Sequence, residues 1–238
     1  MENCKKCSDA INGNFCSNCG ARTYIQRIDK SHIMHEFEHY VLHYEKGILF
    51  TLKELTFNPG NAIRNFINGD RENFYKPIGF LIITSGLYTL LDHYVGYHPS
   101  EAAKILENSA KSLYREHLIY FSLLQILITS TVVKYIFYRK EIYNIYEYFI
   151  VLSYSSGMTI LLSTIGILVS KLTQWESAQY LVSFIGLFYG IWLLGQFMAS
   201  VNYKGYIKAA ATKILSLLIF WILSSIVFTT LTLLNIKY

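Results

Sequence analysis

Apolar positions are unevenly spread along this chain: the first 75 residues hold half of the acidic, basic and histidine side chains in under a third of the length, while long runs beyond Lys76 hold almost none. A helix needs about 20 residues to cross a hydrocarbon core roughly 30 Å thick. Five stretches meet that length, near 77–95, 118–138, 147–170, 179–201 and 211–235. The first opens on Pro77, a good first-turn residue, and leaves Asp92 and His93 at its far end, within reach of water or headgroups. Lys134 and Lys213 are placed within a turn or two of span ends, where their stems can snorkel.

Ahead of the spans the period changes. Residues 31 to 55 repeat at the helical period, with Ile33, Phe37, Tyr40, Val41, Tyr44 and Ile48 on one stripe, and predict an amphipathic helix. Asn58-Pro59-Gly60 interrupts it and starts a short second helix, with Asn58 as N-cap, Pro59 at its first position and Ala62, Ile63, Phe66 and Ile67 facing one way. Asn68-Gly69 ends that helix. Arg64, Arg71 and Lys76 flank it just before the first span, so residues 58–76 are expected to form an interfacial elbow whose cations contact lipid headgroups. The expected fold is therefore an all-α integral membrane protein: a small head over 1–24, a helix and elbow over 31–76, and a bundle of about five transmembrane helices over 77–238.

Composition agrees with the membrane class, since only 16% of the 238 residues are charged, against about a quarter in soluble domains. The net charge of +5 is not a nucleic-acid signal, because the head and elbow carry ten Lys and Arg against nine Asp and Glu. With the head inside, sixteen Lys and Arg fall on that side and five on the other, which predicts a cytoplasmic N-terminus, an external C-terminus and residence in the cytoplasmic membrane. The N-terminus lacks the apolar core of a cleavable signal, so insertion is expected to rely on the first span. Tyr94, Tyr97, Tyr138, Tyr143, Tyr146, Trp175, Tyr180, Tyr203 and Tyr206 gather at span ends as an aromatic belt.

Two clusters carry candidate chemistry. Cys4-Lys5-Lys6-Cys7 and Cys16-Ser17-Asn18-Cys19, followed by Gly20, use every cysteine of the chain in two CxxC pairs. Each pair can grip one face of a tetrahedral ion with Zn–S bonds of about 2.3 Å. The expected cofactor is one structural zinc ion, since four protein ligands leave no open position for catalysis; a disulfide pair is the alternative. On the polar face of the first helix, His32, His35, His39 and His43 include two i, i+4 pairs, which a second metal or a pH sensor can use. A solvated face is the preferred reading, because no carboxylate or cysteine stands at an evident completing position.

The two cysteine pairs are followed by Thr51, Leu55, Pro59-Gly60, Ile63-Arg64, Ile67, Gly69, Arg71, Tyr75 and Pro77 at fixed spacing, and then by several spans. This pattern resembles a family of uncharacterised bacterial membrane proteins that combine a zinc ribbon with a domain of unknown function. Asp70 stands where that family prefers lysine, which weakens any phosphate contact there. Five spans with the N-terminus inside are also similar in topology to the Yip family, whose eukaryotic members are linked to small GTPases and membrane trafficking. The resemblance implies an architecture and no reaction.

Within the spans, Gln125, the Ser153, Ser155, Ser156, Gly157, Thr159 group and Gln196 are the main polar features. Ser and Thr can bond back to their own helix, so packing is the default; a cavity lined by Gln125, Ser153, Ser156 and Gln196 is the alternative. Gly186 and Gly190 form a small-x3-small face that suits either an internal helix contact or a homodimer seam. Paired carboxylates, a nucleophile elbow, an HExxH motif and a phosphate-binding glycine loop are read as missing from the sequence, and Asp92, His93, His98 and His117 are taken as solvated groups near the outer surface. The expected function is a non-enzymatic membrane adaptor that recruits a cytoplasmic protein; the competing class is a small-molecule or lipid transporter.

Overall fold

A computed structural model of the protein describes residues 16–18, 28–30, 33, 47–95, 118–175, 178–198 and 203–233. Among them the order is α1 (Ile48–Phe57), α2 (Pro59–Ile67), α3 (Pro77–Val95), α4 (Leu118–Val132), a π-helical turn (Val133–Phe137), α5 (Ile145–Thr173), α6 (Ala178–Phe197) and α7 (Tyr203–Leu233). Among the described residues five segments are long and apolar enough to cross a membrane: Pro77–Val95, Leu118–Phe137, Ile145–Thr173, Tyr180–Phe197 and Tyr203–Ile226.

The central helix is α5. Within its most apolar stretch 67% of residues are buried by protein, against 22–33% for the other four. It packs against α3, α4 and α6, while α7 closes on α4 and α6. A helix enclosed in this way is apolar all round, as its sequence is. Its start is fixed by a reciprocal cap: Glu147 N–H donates to Asn144 Oδ1 (2.8 Å) and Asn144 N–H to the Glu147 carboxylate (2.6 Å). Buried hydroxyls along the spans close on their own helices, as Thr84 does on Phe80, Ser130 on Ile126 and Thr164 on Ile160.

Three expectations change. The single helix over 31–55 is broken at Gly47, whose φ of 128° lies where only glycine is comfortable; α1 starts at Ile48. The last helix starts at Tyr203 instead of 211, because Lys208, Ala209, Ala210, Ala211 and Lys213 are good helix formers and neither proline nor glycine interrupts 206–213. Lys213 is therefore ten residues inside α7 and lies against Gly190, where an added Cβ would meet its Cε at 3.0 Å. Tyr138 and Tyr143 leave the aromatic belt. They pack against Tyr148, with Tyr143 also 4.6 Å from the Phe197 ring centre, while Tyr94, Trp175, Tyr180 and Tyr203 stay exposed.

Candidate functional site

The elbow predicted to lie among lipid headgroups is built into the end of the bundle where α3, α5 and α7 begin. The apolar face of α2 is covered by protein: Ala62, Ile63 and Phe66 are each at most 1% exposed. Its first turn meets the last turn of α6 so closely that a Cβ on Gly60 would fall 2.5 Å from the Gln196 carbonyl carbon. Gly60 N–H donates to Gln196 Oε1 at 3.2 Å. The last carbonyls of a helix have no partner within it and carry partial negative charge. Arg64 answers both needs by donating to the carbonyls of Gln196 and of Phe197 (2.8 Å), while Asn61 Oδ1 accepts from its other terminal nitrogen.

The remainder of the elbow is tied in the same manner. Gly69, at φ 109°, ends α2 in a Schellman motif, with Asp70 N–H donating to Asn65 O (3.0 Å) and Gly69 N–H to Phe66 O (3.2 Å). Arg71 lies over the Phe66 ring and donates to the Phe66 carbonyl. The returning segment is clamped between α1 and α5: Tyr75 N–H donates to Thr51 Oγ1 (2.7 Å), and Tyr154 O–H donates to Tyr75 O (2.7 Å). Phe66 and Tyr154 meet edge to face at 5.6 Å beneath it. Tyr189 O–H donates to Leu55 O (2.8 Å), capping α1 from α6. One tie reaches toward the head, since Asn144 Nδ2 donates to the carbonyl of the buried Ile28 (2.8 Å). Burial raises the Tyr143 hydroxyl pKa, with Arg64 opposing and Glu147 and Glu141 adding to it.

The other predicted residues are scattered. Cys4, Cys7 and Cys19 lie outside the described residues, and Cys16 is buried. His32, His35, His39 and His43, like His98 and His117, are also outside them. Lys76 is half-buried ahead of α3. Gly186 and Gly190 make an internal contact: Cβ atoms there would meet Thr159 Cγ2 at 2.8 Å and Ser155 Oγ at 3.3 Å, both on α5. The four cavity candidates lie on three helices, α4, α5 and α6. Ser153 is fully buried and donates to Phe149 O, Gln196 is occupied by α2, and Gln125 and Ser156 are half-buried on separate helices.

Sequence reasoning passed over two signals. Gly60 follows a proline inside a helix that needs no positive φ, which marks a close backbone approach. The His35/His39 pair reads His35-Glu36-Phe37-Glu38-His39, so a carboxylate does stand inside it, in the HExxH order of zinc hydrolases.

The chain from the end of α1 through the start of α3 thus supplies one half of each contact that the elbow makes with α5 and α6. Residues 45–89 match the family model described as a protein of unknown function (DUF3667). No curated protein and no solved structure matches the chain. The DUF3667 segment contains α1, α2 and most of α3, and Gly60, Arg64, Gly69 and Tyr75 all lie within it.

Proposed function

We propose that this protein is a non-enzymatic membrane adaptor: a four-cysteine zinc ribbon faces the cytoplasm and recruits a protein partner, and the DUF3667 elbow fixes that head to the bundle. The observation that supports this reading is the anchoring of the chain on both sides of residues 31–46: Asn144 at the start of α5 holds the Ile28 carbonyl just after the ribbon, and Arg64 of the elbow caps α6. The cytoplasmic assignment is supported by the Lys and Arg count, sixteen on the elbow side against five on the other. Transport through the α5–α6 seam has little support, because Gly186 and Gly190 already bring the two helices into contact.

The test uses affinity capture of the full-length protein in mild detergent together with metal analysis. Cys16→Ser/Cys19→Ser should remove zinc and the captured partner without blocking insertion. Partner capture by the zinc-free variant would overturn the adaptor reading. A second reading, a zinc hydrolase, rests on His35-Glu36-Phe37-Glu38-His39. It requires a second zinc that survives the cysteine changes and is lost in His35→Ala/His39→Ala. A single zinc per chain, held by the cysteines, removes it.

A further inference from the structure

Between α4 and α7 the surface holds an apolar groove of about 440 Å³, lined by Leu127, Ile128, Thr131, Tyr135 and Ile136 from α4 and its π turn and by Ile219 from α7. The groove follows α4 toward the elbow end and stops at the π turn, which Tyr138 N–H closes by donating to Val133 O (2.7 Å). Such turns are often found at functional positions.

The chain just past the groove is strongly basic. Arg139 and Lys140 come directly after the π turn and Tyr138 and are exposed, and Lys134 donates to the carbonyl of Glu141 (3.0 Å). On the facing helix Lys208 places its ammonium 4.2 Å from the centre of the Tyr138 ring, which holds the first turns of α7 against this corner, and Lys204 one turn earlier is exposed. Residues 133–141 and 203–208, the two segments that Lys208 joins to Tyr138, thus carry five cations and one carboxylate, Glu141. Tyr203, Ile207, Tyr135 and Ile136 surround them with exposed apolar surface, each at least 59% exposed.

We propose that this corner is a binding site for an anionic phospholipid, with one acyl chain in the α4–α7 groove and the headgroup phosphate on Arg139, Lys140, Lys204 and Lys208. The parts suit one ligand in depth and chemistry: an apolar channel at chain depth meets clustered positive charge at headgroup depth. Basic groups near an anionic membrane surface are worth about fivefold in affinity each. The site is separate from the elbow cations, whose Arg64 is engaged with α6.

The experiment measures retention of added lipid by the full-length protein in neutral detergent, by native mass spectrometry. Dioleoyl phosphatidylglycerol, dioleoyl phosphatidylcholine and dihexanoyl phosphatidylglycerol are compared, with inorganic phosphate as competitor. The long-chain anionic lipid should bind at least about tenfold more tightly than the zwitterionic one. Arg139→Gln/Lys140→Gln, both exposed, should lower that preference by up to about 25-fold, about fivefold for each cation removed. Thr131→Trp, which fills the groove from an exposed position, should weaken the long-chain lipid and leave the short-chain one unchanged. Lys171→Gln, at the other end of the bundle, should have no effect. The proposal fails if both headgroups bind equally, if the double variant keeps the preference, if Lys171→Gln removes it, or if millimolar phosphate displaces the lipid completely.

Discussion

Gly60→Ala tests whether α2 is seated on α6 as a structural part of the bundle. Alanine is the better helix former, and on propensity alone the change should stabilise by up to about 1 kcal/mol. Packing opposes this, because the new Cβ would lie 2.5 Å from the carbonyl carbon and Cβ of Gln196 and 2.7 Å from its carbonyl oxygen. Carbon atoms rest about 3.5–4.0 Å apart, so α2 must move by about 1 Å, and backbone on the opposing side cannot rotate away. Overpacking of this kind costs about 1–3 kcal/mol. The displacement also stretches the charged hydrogen bonds from Arg64 to α6, each worth about 1.5–3 kcal/mol when intact. The net loss is roughly 2 kcal/mol, or about 4–8 °C in melting temperature for a chain of this size. The assay is thermal unfolding of the full-length protein in nanodiscs, followed by helical circular dichroism. Gly86→Ala is the control, since nothing lies within 4 Å of its Cβ position, and it should melt at or above the parent. A Gly60→Ala protein that melts as high as Gly86→Ala would refute the seating of α2.

Arg64→Lys keeps the charge but loses the planar donor pair that reaches two carbonyls, so it should destabilise by about 1–2 kcal/mol in the same assay and increase amide exchange in the last turn of α6. Tyr154→Phe leaves the buried Tyr75 carbonyl without its side-chain donor and should cost about 1–3 kcal/mol, whereas Tyr138→Phe should be neutral or gain up to about 1 kcal/mol, because the Tyr138 hydroxyl is buried with no partner among the described residues. Alkaline pH should weaken the elbow end. The folded state holds the Tyr143 proton more tightly than the unfolded chain, whose tyrosines titrate at about 10, so the stabilisation is intact below about pH 10 and declines as pH rises through the higher folded value. Tyr143→Phe should flatten that decline in a melting series from about pH 8 to 12.

The spans are legible in the sequence because a run of some 20 uncharged apolar residues has few alternatives to a membrane helix. Pro77 marks the start of α3 at the predicted residue. Where the boundaries differ, the causes are local. The span expected over 147–170 extends to Ile145–Thr173 because Asn144 and Glu147 form a capping box, a signal the sequence does spell out. The start of α7 lies eight residues ahead of the expected one because Lys204, Lys208 and Lys213 are compatible with a helix as well as with a loop, lysine being a good helix former. The elbow is illegible in another way. Its period shows that Ile63 and Phe66 share a buried face, but a stripe does not say whether lipid or protein covers it. Arg64 beside a membrane suggests a phosphate partner; its carbonyl partners lie 132 and 133 residues away, and local spacing carries no trace of them.

That separation bears on what the DUF3667 match delimits. The matched residues end at 89, yet their contacts depend on the later spans: Arg64 on Gln196 and Phe197, Leu55 on Tyr189, Tyr75 on Tyr154. Each of these bonds satisfies a backbone carbonyl at a helix end or in a connecting segment, where regular helical bonding gives out. Near a membrane border such carbonyls have restricted access to water, so side chains from neighbouring elements must supply the donors. The later spans supply two tyrosine hydroxyls set in apolar sequence, and Arg64 of the elbow supplies the donors for the last carbonyls of α6. Arrangements of that kind constrain a few positions and leave the rest of each span free to vary among apolar residues. The segment from 45 to 89 is therefore the recognisable half of a structure whose other half, α5 and α6, is specified mainly by its hydrophobicity.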